Sequence, residues 1–293
     1  MNYRELTAQL APIRGTGEAR AIVRMVMEER FGLSQADLLL GKDTTLSADD
    51  RTEFEKIAFR LLQGEPVQYV LGYTDFCGHR FHTTPDVLIP RPETEELTRL
   101  VMEWSLSAPH SPCILDLCTG SGCIAITLAL ANPTAKVFGV DISSKALTLA
   151  RKNAVTLGAM NTEFIQQDIL EDSDLRMTHA ECYQHVSILN YKFTVITANP
   201  PYIRTSESAE MEPTVLEHEP HLALFVPDND PLCFYRAIAS IAQEVLLNDG
   251  RLYVEINASL SEETRQLFLS SGFCNITLYN DQFGHPRILC VRR

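Results

Sequence analysis

The sequence predicts an α/β protein: a doubly wound, mostly parallel sheet with an antiparallel edge, preceded by a small all-helical domain and a β-hairpin linker. Three observations support this. Apolar residues recur at helical spacing in residues 1–70, with little strand signal. Aromatic, glycine and β-branched residues then alternate in residues 71–92. From about residue 111, short apolar strands alternate with helices, as in a doubly wound sheet. The expected domains are therefore 1–70, 71–92 and 93–293.

The composition is that of a folded protein with no membrane segment and no export signal. The chain has 293 residues, 45% of them hydrophobic, and a formal net charge of −13. It has no run of about 18 uncharged apolar residues, and its N-terminus lacks the apolar core of a signal peptide. Eight scattered cysteines, none in a C-x-x-C pair, indicate reduced residues in a cytoplasmic protein without a metal site. The acidic balance argues against tight, non-specific DNA binding.

The N-terminal region is expected to form a bundle of helices. The segment GEARAIVRMVMEERFG places apolar residues three to four positions apart. The segment SADDRTEFEKIAFRLLQG supplies Ser47 as an N-cap, acids in the first turn, and Gly64 as a stop. Further along, three prolines in TPDVLIPRPET fix an extended path, after which Glu93 or Thr94 opens the next helix.

The strands of the sheet are short and apolar, and helices are expected between them. The predicted strands are residues 113–118, 136–141, 162–167, 193–198 and 250–256, with a late pair at 276–281 and 287–292. The late pair, joined by QFGHP, is expected to form the antiparallel edge. The polar stretch 170–191 predicts a long surface loop or insert.

A glycine-rich turn, CTGSGC, follows the first strand and predicts a ligand site, because open α/β sheets bind ligands at the carboxyl ends of their strands. Gly120 and Gly122 would let the backbone approach a ligand, although a plain tight turn is the alternative. Asp141 ends the second strand, where an acid can bind the two hydroxyls of a ribose. Asp168 ends the third strand. Its carboxylate either accepts a hydrogen bond from an adenine amine or caps a helix.

The turn favours S-adenosylmethionine over NAD as the cofactor. A dinucleotide-binding turn has three glycines, whereas the corresponding positions here are Cys118, Gly120 and Cys123, with an added Gly122. The missing glycine where strand meets turn disfavours a pyrophosphate. Asp116, inside the first strand just before the turn, suits the amino group of a methionine moiety.

The segment ANPPYI, residues 198–203, ends the fourth strand, which lies next to the first strand in a doubly wound sheet. An amide or aryl amine nitrogen is a poor nucleophile, because its lone pair is delocalised. The side-chain oxygen of Asn199 and the carbonyl of Pro200 can accept hydrogen bonds from both of its N–H groups, and the two prolines hold these acceptors rigidly. Tyr202 offers a flat face to a planar substrate. The segment therefore favours methyl transfer to nitrogen, with a proline-rich turn as the alternative.

The N-P-P-Y segment is similar to the signature of methyltransferases that act on adenine or on glutamine in protein. GEPVQYVLGYTDFCGHRF, followed by VLIPRPETEEL, resembles the linker of the HemK-type peptide chain release factor glutamine methyltransferases. DLCTGSGCIAI, VDIS, ANPPYI, EPHLALF and YRAIASIAQEVLLNDGRLYVEI resemble the same family in the same order. The resemblance covers nearly all of the chain from about residue 60. It implies a Rossmann-like domain that uses S-adenosylmethionine to methylate the glutamine of the Gly-Gly-Gln loop in class 1 release factors. It also implies that the helical bundle helps to bind the release factor.

The motifs and the resemblance together give the expected site. Catalysis is assigned to Asn199, Pro200 and Tyr202, and these residues with Pro201 are expected to form the glutamine pocket. No metal, DNA or membrane partner is expected. The expected cofactor-binding residues are Asp116, Cys118, Thr119, Gly120, Ser121, Gly122, Asp141, Asp168, Ile169 and Asn199.

Some positions depart from the family's pattern. Cys118 stands where glycine is usual, and Ile169 stands where some members carry an aromatic residue. The connection 170–191 is longer than usual, and EINASL replaces a common Glu-Ile-Gly ending of the fifth strand.

Three other functions are weaker. An adenine-N6 DNA methyltransferase would share N-P-P-Y but should add a basic DNA-reading region. A non-catalytic binding protein has no need of an intact Asn199 and Asp141. A dehydrogenase that uses NAD is disfavoured by the turn and by the lack of an obvious hydride-transfer acid.

Overall fold

The computed structural model describes residues 1–105, 111–171, 176–177 and 186–293. The polar connection predicted at 170–191 lies largely outside the described residues. The helices are α1 Tyr3–Arg14, α2 Thr16–Phe31, α3 Gln35–Leu39, α4 Ala48–Leu62, α5 Val67–Leu71, α6 Pro92–Ser105, α7 Cys123–Ala131, α8 Ser144–Leu157, α9 Pro213–His218, α10 Cys233–Val245 and α11 Ser261–Ser270. The strands are β1 Tyr73–Phe76, β2 His79–His82, β3 Cys113–Leu117, β4 Lys136–Asp141, β5 Thr162–Gln166, β6 Arg176–Met177, β7 Val186–Ser187, β8 Phe193–Ala198, β9 Ile203–Arg204, β10 Phe225–Val226, β11 Leu246–Glu255, β12 Asn275–Asn280 and β13 Pro286–Arg292.

The chain divides into two compact units, and the first is helical. It consists of Met1–Tyr73 together with Met211–His218, so it contains α1 to α5 and α9. Its apolar core gathers buried side chains such as Leu6, Val23 and Phe54 from three different helices. The N-cap predicted for α4 is confirmed, because the side chain of Ser47 accepts a hydrogen bond from the backbone N–H of Asp50 at 3.1 Å.

The second unit is built on a seven-stranded sheet with the order β12-β13-β11-β8-β3-β4-β5. Neighbours from β11 to β5 are parallel, whereas β13 runs antiparallel to β11 and to β12. The predicted doubly wound sheet with an antiparallel edge is therefore confirmed. Apolar side chains of α10 and α11 cover one face of this sheet, and those of α6, α7 and α8 cover the other.

The register places three loops at one edge of the sheet. Leu117, at the end of β3, pairs with Val140 of β4 on one side and with Ala198 of β8 on the other. Since all three strands are parallel, the glycine-rich turn, the acid at the end of β4 and the segment after β8 leave the sheet side by side. This adjacency of the first and fourth strands of the predicted series is confirmed.

Two local features differ from the predictions. Helix α6 begins at Pro92 rather than at Glu93 or Thr94, because proline is well suited to the first helical position, where its missing N–H costs no hydrogen bond. No helix begins in the described residues directly after β5, so the alternative in which Asp168 caps a helix is wrong. The two-stranded sheet of β1 and β2 matches the predicted hairpin. Among the described residues, no helix has both the length and the apolar character that crossing a membrane requires.

Candidate active site

A cavity of about 350 Å³ lies in the second unit at the carboxyl ends of the parallel strands. Its wall comes from the segment before α6, from the ends of β3, β4, β5 and β8, and from the segment before β10. The expected site residues in the wall are Cys118, Thr119, Gly120, Ser121, Asp141, Asp168, Ile169, Asn199 and Pro201. Four expected residues are not among those lining it: Asp116, Gly122, Pro200 and Tyr202.

Asp141 is held at the cavity by backbone groups from two loops. Its Oδ2 accepts a hydrogen bond from the N–H of Gly120 at 2.8 Å, and its Oδ1 accepts one from the N–H of Ser143 at 2.9 Å. Burial raises the pKa of this carboxyl, and the backbone hydrogen bonds act in the opposite direction. Each carboxylate oxygen has a second lone pair, so the group can still accept two hydroxyl protons from a ligand.

The glycine-rich turn uses its glycines in two different ways. Gly120 has φ 55°, and a Cβ built on it would meet no atom within 4 Å, so the backbone is open at this point. Gly122 has φ 79°, and its Cβ would come within 2.9 Å of the side chain of Ile126. Gly122 is therefore required for packing of α7, rather than for the ligand approach expected of it. Cys118 has φ 60°, the left-handed conformation that favours glycine.

Asp116 does not reach the cavity, contrary to the expected contact with an amino group. It is fully buried, and its oxygens accept hydrogen bonds from the hydroxyls of Thr119 and Thr197. Burial raises the pKa of Asp116 to about 7, against the effect of these hydroxyls. The carboxyl group of Asp116 therefore links the glycine-rich turn to β8 through these two buried hydrogen bonds.

Asp168 and Ile169 line the cavity at the end of β5. The Oδ1 of Asp168 accepts a hydrogen bond from the N–H of Leu170 at 2.9 Å, which closes a short turn. Beside it, Gln167 also lines the cavity, and its buried Oε1 has no hydrogen-bond partner among the residues that the structure describes. No motif in the sequence indicates a role for Gln167. An unpartnered buried acceptor is costly unless a ligand supplies a donor, and the exocyclic amine of adenine is a donor of this kind.

The segment after β8 presents two of its residues to the cavity and turns the others away. Asn199 and Pro201 lie in the wall, whereas Pro200 is buried beneath it. The hydroxyl of Tyr202 donates a hydrogen bond to Oε1 of Glu255 at 3.0 Å. Burial and the nearby charge of Glu255 raise the pKa of Tyr202 well above its ordinary value, so the hydroxyl stays a donor. The flat face expected to contact the substrate is therefore not part of this wall.

A partly buried ion pair that no sequence motif indicates joins the two outer segments of the cavity wall. The guanidinium of Arg91 bonds to Oε1 of Glu219, and Oε2 of the same carboxylate accepts the N–H of Ile89 at 3.2 Å. The side chain of Glu219 is 0% exposed. The pair fastens the segment before α6 to the segment before β10. Both residues lie in motifs that carried the resemblance, PRPET and EPHLALF, but their distance in sequence hid the contact.

The charges of the wall fit one class of cofactor. Asp86, Asp141 and Asp168 contribute three carboxylates, of which Asp86 is paired with Lys145 at 2.9 Å, and none of the described residues lining the cavity is lysine or arginine. Such a wall is unfavourable for a pyrophosphate and favourable for a positively charged sulfonium with a ribose and an adenine. The residues present therefore fit S-adenosylmethionine.

Comparison with known proteins gives matches over almost the whole chain. A family described as "Methyltransferase domain" matches residues 112–266, and one described as "PrmC N-terminal domain" matches residues 3–72. A release factor glutamine methyltransferase of Flavobacterium psychrophilum is 42% identical over 293 residues, covering 99% of this chain and 98% of that protein. Proteins of the same name from Bacteroides thetaiotaomicron and Geobacter sulfurreducens are 41% and 34% identical, each over 94% of this chain and over 93% and 90% of their own lengths.

Proposed function

The chain belongs to the release factor glutamine methyltransferase family, and from that premise we propose that it methylates the side-chain amide nitrogen of the glutamine in the Gly-Gly-Gln motif of class 1 peptide chain release factors. The observation that carries the proposal is the position of Asn199. Its side chain lies in the cavity wall at the carboxyl end of β8, beside the turn and the acid that suit the cofactor. The chain is accordingly an S-adenosylmethionine-dependent protein-glutamine methyltransferase, and we place it in the cytoplasm, where release factors act.

The residues of the wall have separable tasks. When bound, S-adenosylmethionine supplies a methyl group on a positively charged sulfur. Asp141 would hold its ribose hydroxyls, and the open backbone at Gly120 would face it. At the end of β5, Asp168 and the unpartnered Oε1 of Gln167 are placed to accept the adenine amine.

The amide nitrogen of the substrate needs orientation rather than a strong base. The side-chain oxygen of Asn199, which lies in the cavity wall, would accept one of its two N–H groups. This hydrogen bond strengthens as positive charge develops on the nitrogen, so it stabilises the transition state more than the bound substrate. Positioning of this kind can supply roughly 7–11 kcal/mol in ideal cases.

The helical first unit is proposed to contribute to release factor binding. Residues 3–72, which match the PrmC N-terminal domain, lie within this unit. The catalytic cavity is lined by residues of the second unit alone, so cofactor binding should not require the bundle.

The test is to incubate the full chain with an intact class 1 release factor and S-adenosylmethionine, then to analyse the Gly-Gly-Gln peptide by mass spectrometry. One added methyl on the glutamine side chain is expected. A release factor in which that glutamine is alanine is the matched substrate control and should gain none. Duplex DNA forms the third arm. Methylation of adenine with none on the release factor would replace the proposal by the DNA methyltransferase alternative.

A further inference from the structure

The side-chain amide of Asn199 is part of a buried hydrogen-bond chain that no motif of the sequence indicates. Its Nδ2 donates to the hydroxyl of Thr94 at 3.0 Å. The hydroxyl of Thr94 in turn donates to Oε2 of Glu255 at 2.7 Å. Thr94 and Glu255 are 2% and 1% exposed, and Thr94 lies in the cavity wall. Three separate parts of the second unit, the first turn of α6, the end of β11 and the segment after β8, thus meet in one polar chain.

The direction of each hydrogen bond in this chain follows from the one before it. The carboxylate of Glu255 accepts at both oxygens, since Tyr202 donates to Oε1 and Thr94 donates to Oε2. Burial raises the pKa of Glu255, whereas these two hydroxyl donors and the charge of Arg287 act in the opposite direction and favour the ionised form that this chain of hydrogen bonds requires. Thr94 has only one hydroxyl proton, and that proton is committed to Glu255. Towards Asn199 the hydroxyl can therefore only accept. The amide of Asn199 must turn its NH₂ group to Thr94, which leaves its oxygen as the group presented elsewhere.

This ordering matters because the two ends of an asparagine amide have nearly the same shape and opposite hydrogen-bonding character. With its oxygen presented, Asn199 can accept an N–H of the substrate amide. With the amide reversed, its NH₂ would face that N–H, and neither group could accept. A reversed amide would fill the same space but could not orient the nitrogen that is to be methylated.

We infer that Thr94 and Glu255 are positioning residues, which act through Asn199 by fixing its side-chain amide with the oxygen available to the substrate. The inference rests on the proposed glutamine methylation. Neither residue has a proton-transfer role in it. Glu255 also holds Tyr202, so one carboxylate fixes two residues of the N-P-P-Y segment.

The experiment compares Thr94→Val with Thr94→Ser in the full chain, using single-turnover methylation of a release factor. Valine keeps the shape and the β-branch of threonine but removes the hydroxyl, so the orientation of Asn199 is no longer enforced. We expect kcat to fall about tenfold in Thr94→Val, with the KM for release factor changed by less than about twofold. Thr94→Ser keeps the hydroxyl and should recover most of the rate.

Two further variants separate positioning from a general structural effect. Thr98, one turn further along α6, is also fully buried and donates its hydroxyl to the backbone oxygen of Thr94, whereas the side chain of Asn199 donates to the hydroxyl of Thr94. Thr98→Val is therefore the matched control and should keep kcat. Asn199→Ala lacks the side-chain amide that Thr94 is inferred to orient. Adding Thr94→Val to Asn199→Ala should therefore cause no further loss of rate. Isothermal calorimetry should give the same S-adenosylmethionine affinity for Thr94→Val as for the wild type.

The outcomes are distinguishable. An unchanged kcat in Thr94→Val, or an equal loss in the presence and absence of Asn199, would overturn the inference. If Thr94→Val does not fold, Thr94→Ser measured against Thr98→Val still decides it. A Thr94→Ser protein that loses as much rate as Asn199→Ala, while Thr98→Val keeps its rate, would contradict the inference. If the wild-type chain itself transfers no methyl to the glutamine, the proposed function fails first.

Discussion

Replacing Asp141 by alanine tests how the cofactor is held. The carboxylate already accepts two backbone hydrogen bonds, at 2.8 Å and 2.9 Å, and keeps one free lone pair on each oxygen for a ribose hydroxyl. Hydrogen bonds to a charged group are worth roughly 1.5–3 kcal/mol. We expect the affinity for S-adenosylmethionine to fall about tenfold to a hundredfold, since about 1.4 kcal/mol corresponds to a factor of ten.

Titration calorimetry with S-adenosylmethionine is the assay, because it reports binding without turnover. Asp141→Asn keeps one acceptor oxygen but loses the charge, so its affinity should lie between those of the wild type and the alanine variant. Ser47→Ala is the control for destabilisation alone. It removes the N-cap of α4, which costs about 1 kcal/mol of stability, and Ser47 is far in sequence from the residues that line the cavity. Unchanged affinity in a folded Asp141→Ala protein would refute the assignment of Asp141 to the ribose.

Three other substitutions give further expectations. The stability difference between Asp116→Asn and the wild type should depend on pH, because burial raises the folded-state pKa of Asp116 to about 7. As pH rises from about 4 to about 7, the wild type should lose on the order of 4 kcal/mol of stability relative to the variant. Above that range the difference should be constant. Arg91→Ala leaves the buried carboxylate of Glu219 with the N–H of Ile89 as its donor. Because the side chain of Arg91 is 31% exposed, urea unfolding should show a loss of about 2 kcal/mol, less than for a fully buried pair. Gly122→Ala should lower the unfolding temperature more than Gly120→Ala, because only at Gly122 does the new Cβ meet packed side chains.

Each of these has a result that would count against it. A pH-independent stability difference in Asp116→Asn would show that the pKa of the carboxyl is the same in the folded and unfolded states. For the ion pair, the double variant Arg91→Ala with Glu219→Gln should be more stable than Arg91→Ala alone, since no buried charge remains. Equal losses of stability in the single and double variants would contradict this expectation. Equal stability of the two glycine variants would show that the turn can move away from α7.

The parts of the site that could be predicted from the sequence are those set by local pattern. Asp141 and Asn199 each directly follow or end a run of buried strand residues, and the strand–helix alternation dictates that such ends meet at one edge of a parallel sheet. The same reasoning placed Gly120 and Asp168 in the cavity wall. Ser47 was recognisable as a cap because its partner Asp50 lies three residues along the chain.

The structure differs from the predictions at residues whose side-chain direction depends on a partner far away in the sequence. Tyr202 turns away from the cavity wall because it bonds to Glu255, 53 positions further along the chain. Asp116 satisfies its oxygens partly with Thr197, 81 positions away, and so remains beneath the turn. In a strand that is buried on both faces, nothing in the local pattern distinguishes a carboxylate that reaches a ligand from one that ties two strands together.

The contacts that no sequence pattern indicates join residues with more than 100 positions between them along the chain. Thr94 and Asn199 are 105 positions apart, and Arg91 and Glu219 are 128 positions apart. Both pairs involve the proline-rich segment and first turn that lead into α6. The three prolines of this segment predict only a linker with a fixed, extended path. The structure shows that it also supplies groups to the cavity.

The most direct test of the account is the rate of methylation by Asn199→Ala, measured in a single turnover on an intact release factor and quantified by mass spectrometry of the Gly-Gly-Gln peptide. Removing one acceptor aimed at a developing charge should lower kcat about 10²–10³-fold, and release factor affinity should change little. The methyl that is still transferred should be found on the glutamine side chain. A variant with near wild-type kcat and only a raised KM would contradict the account, because Asn199 would then merely shape the turn after β8.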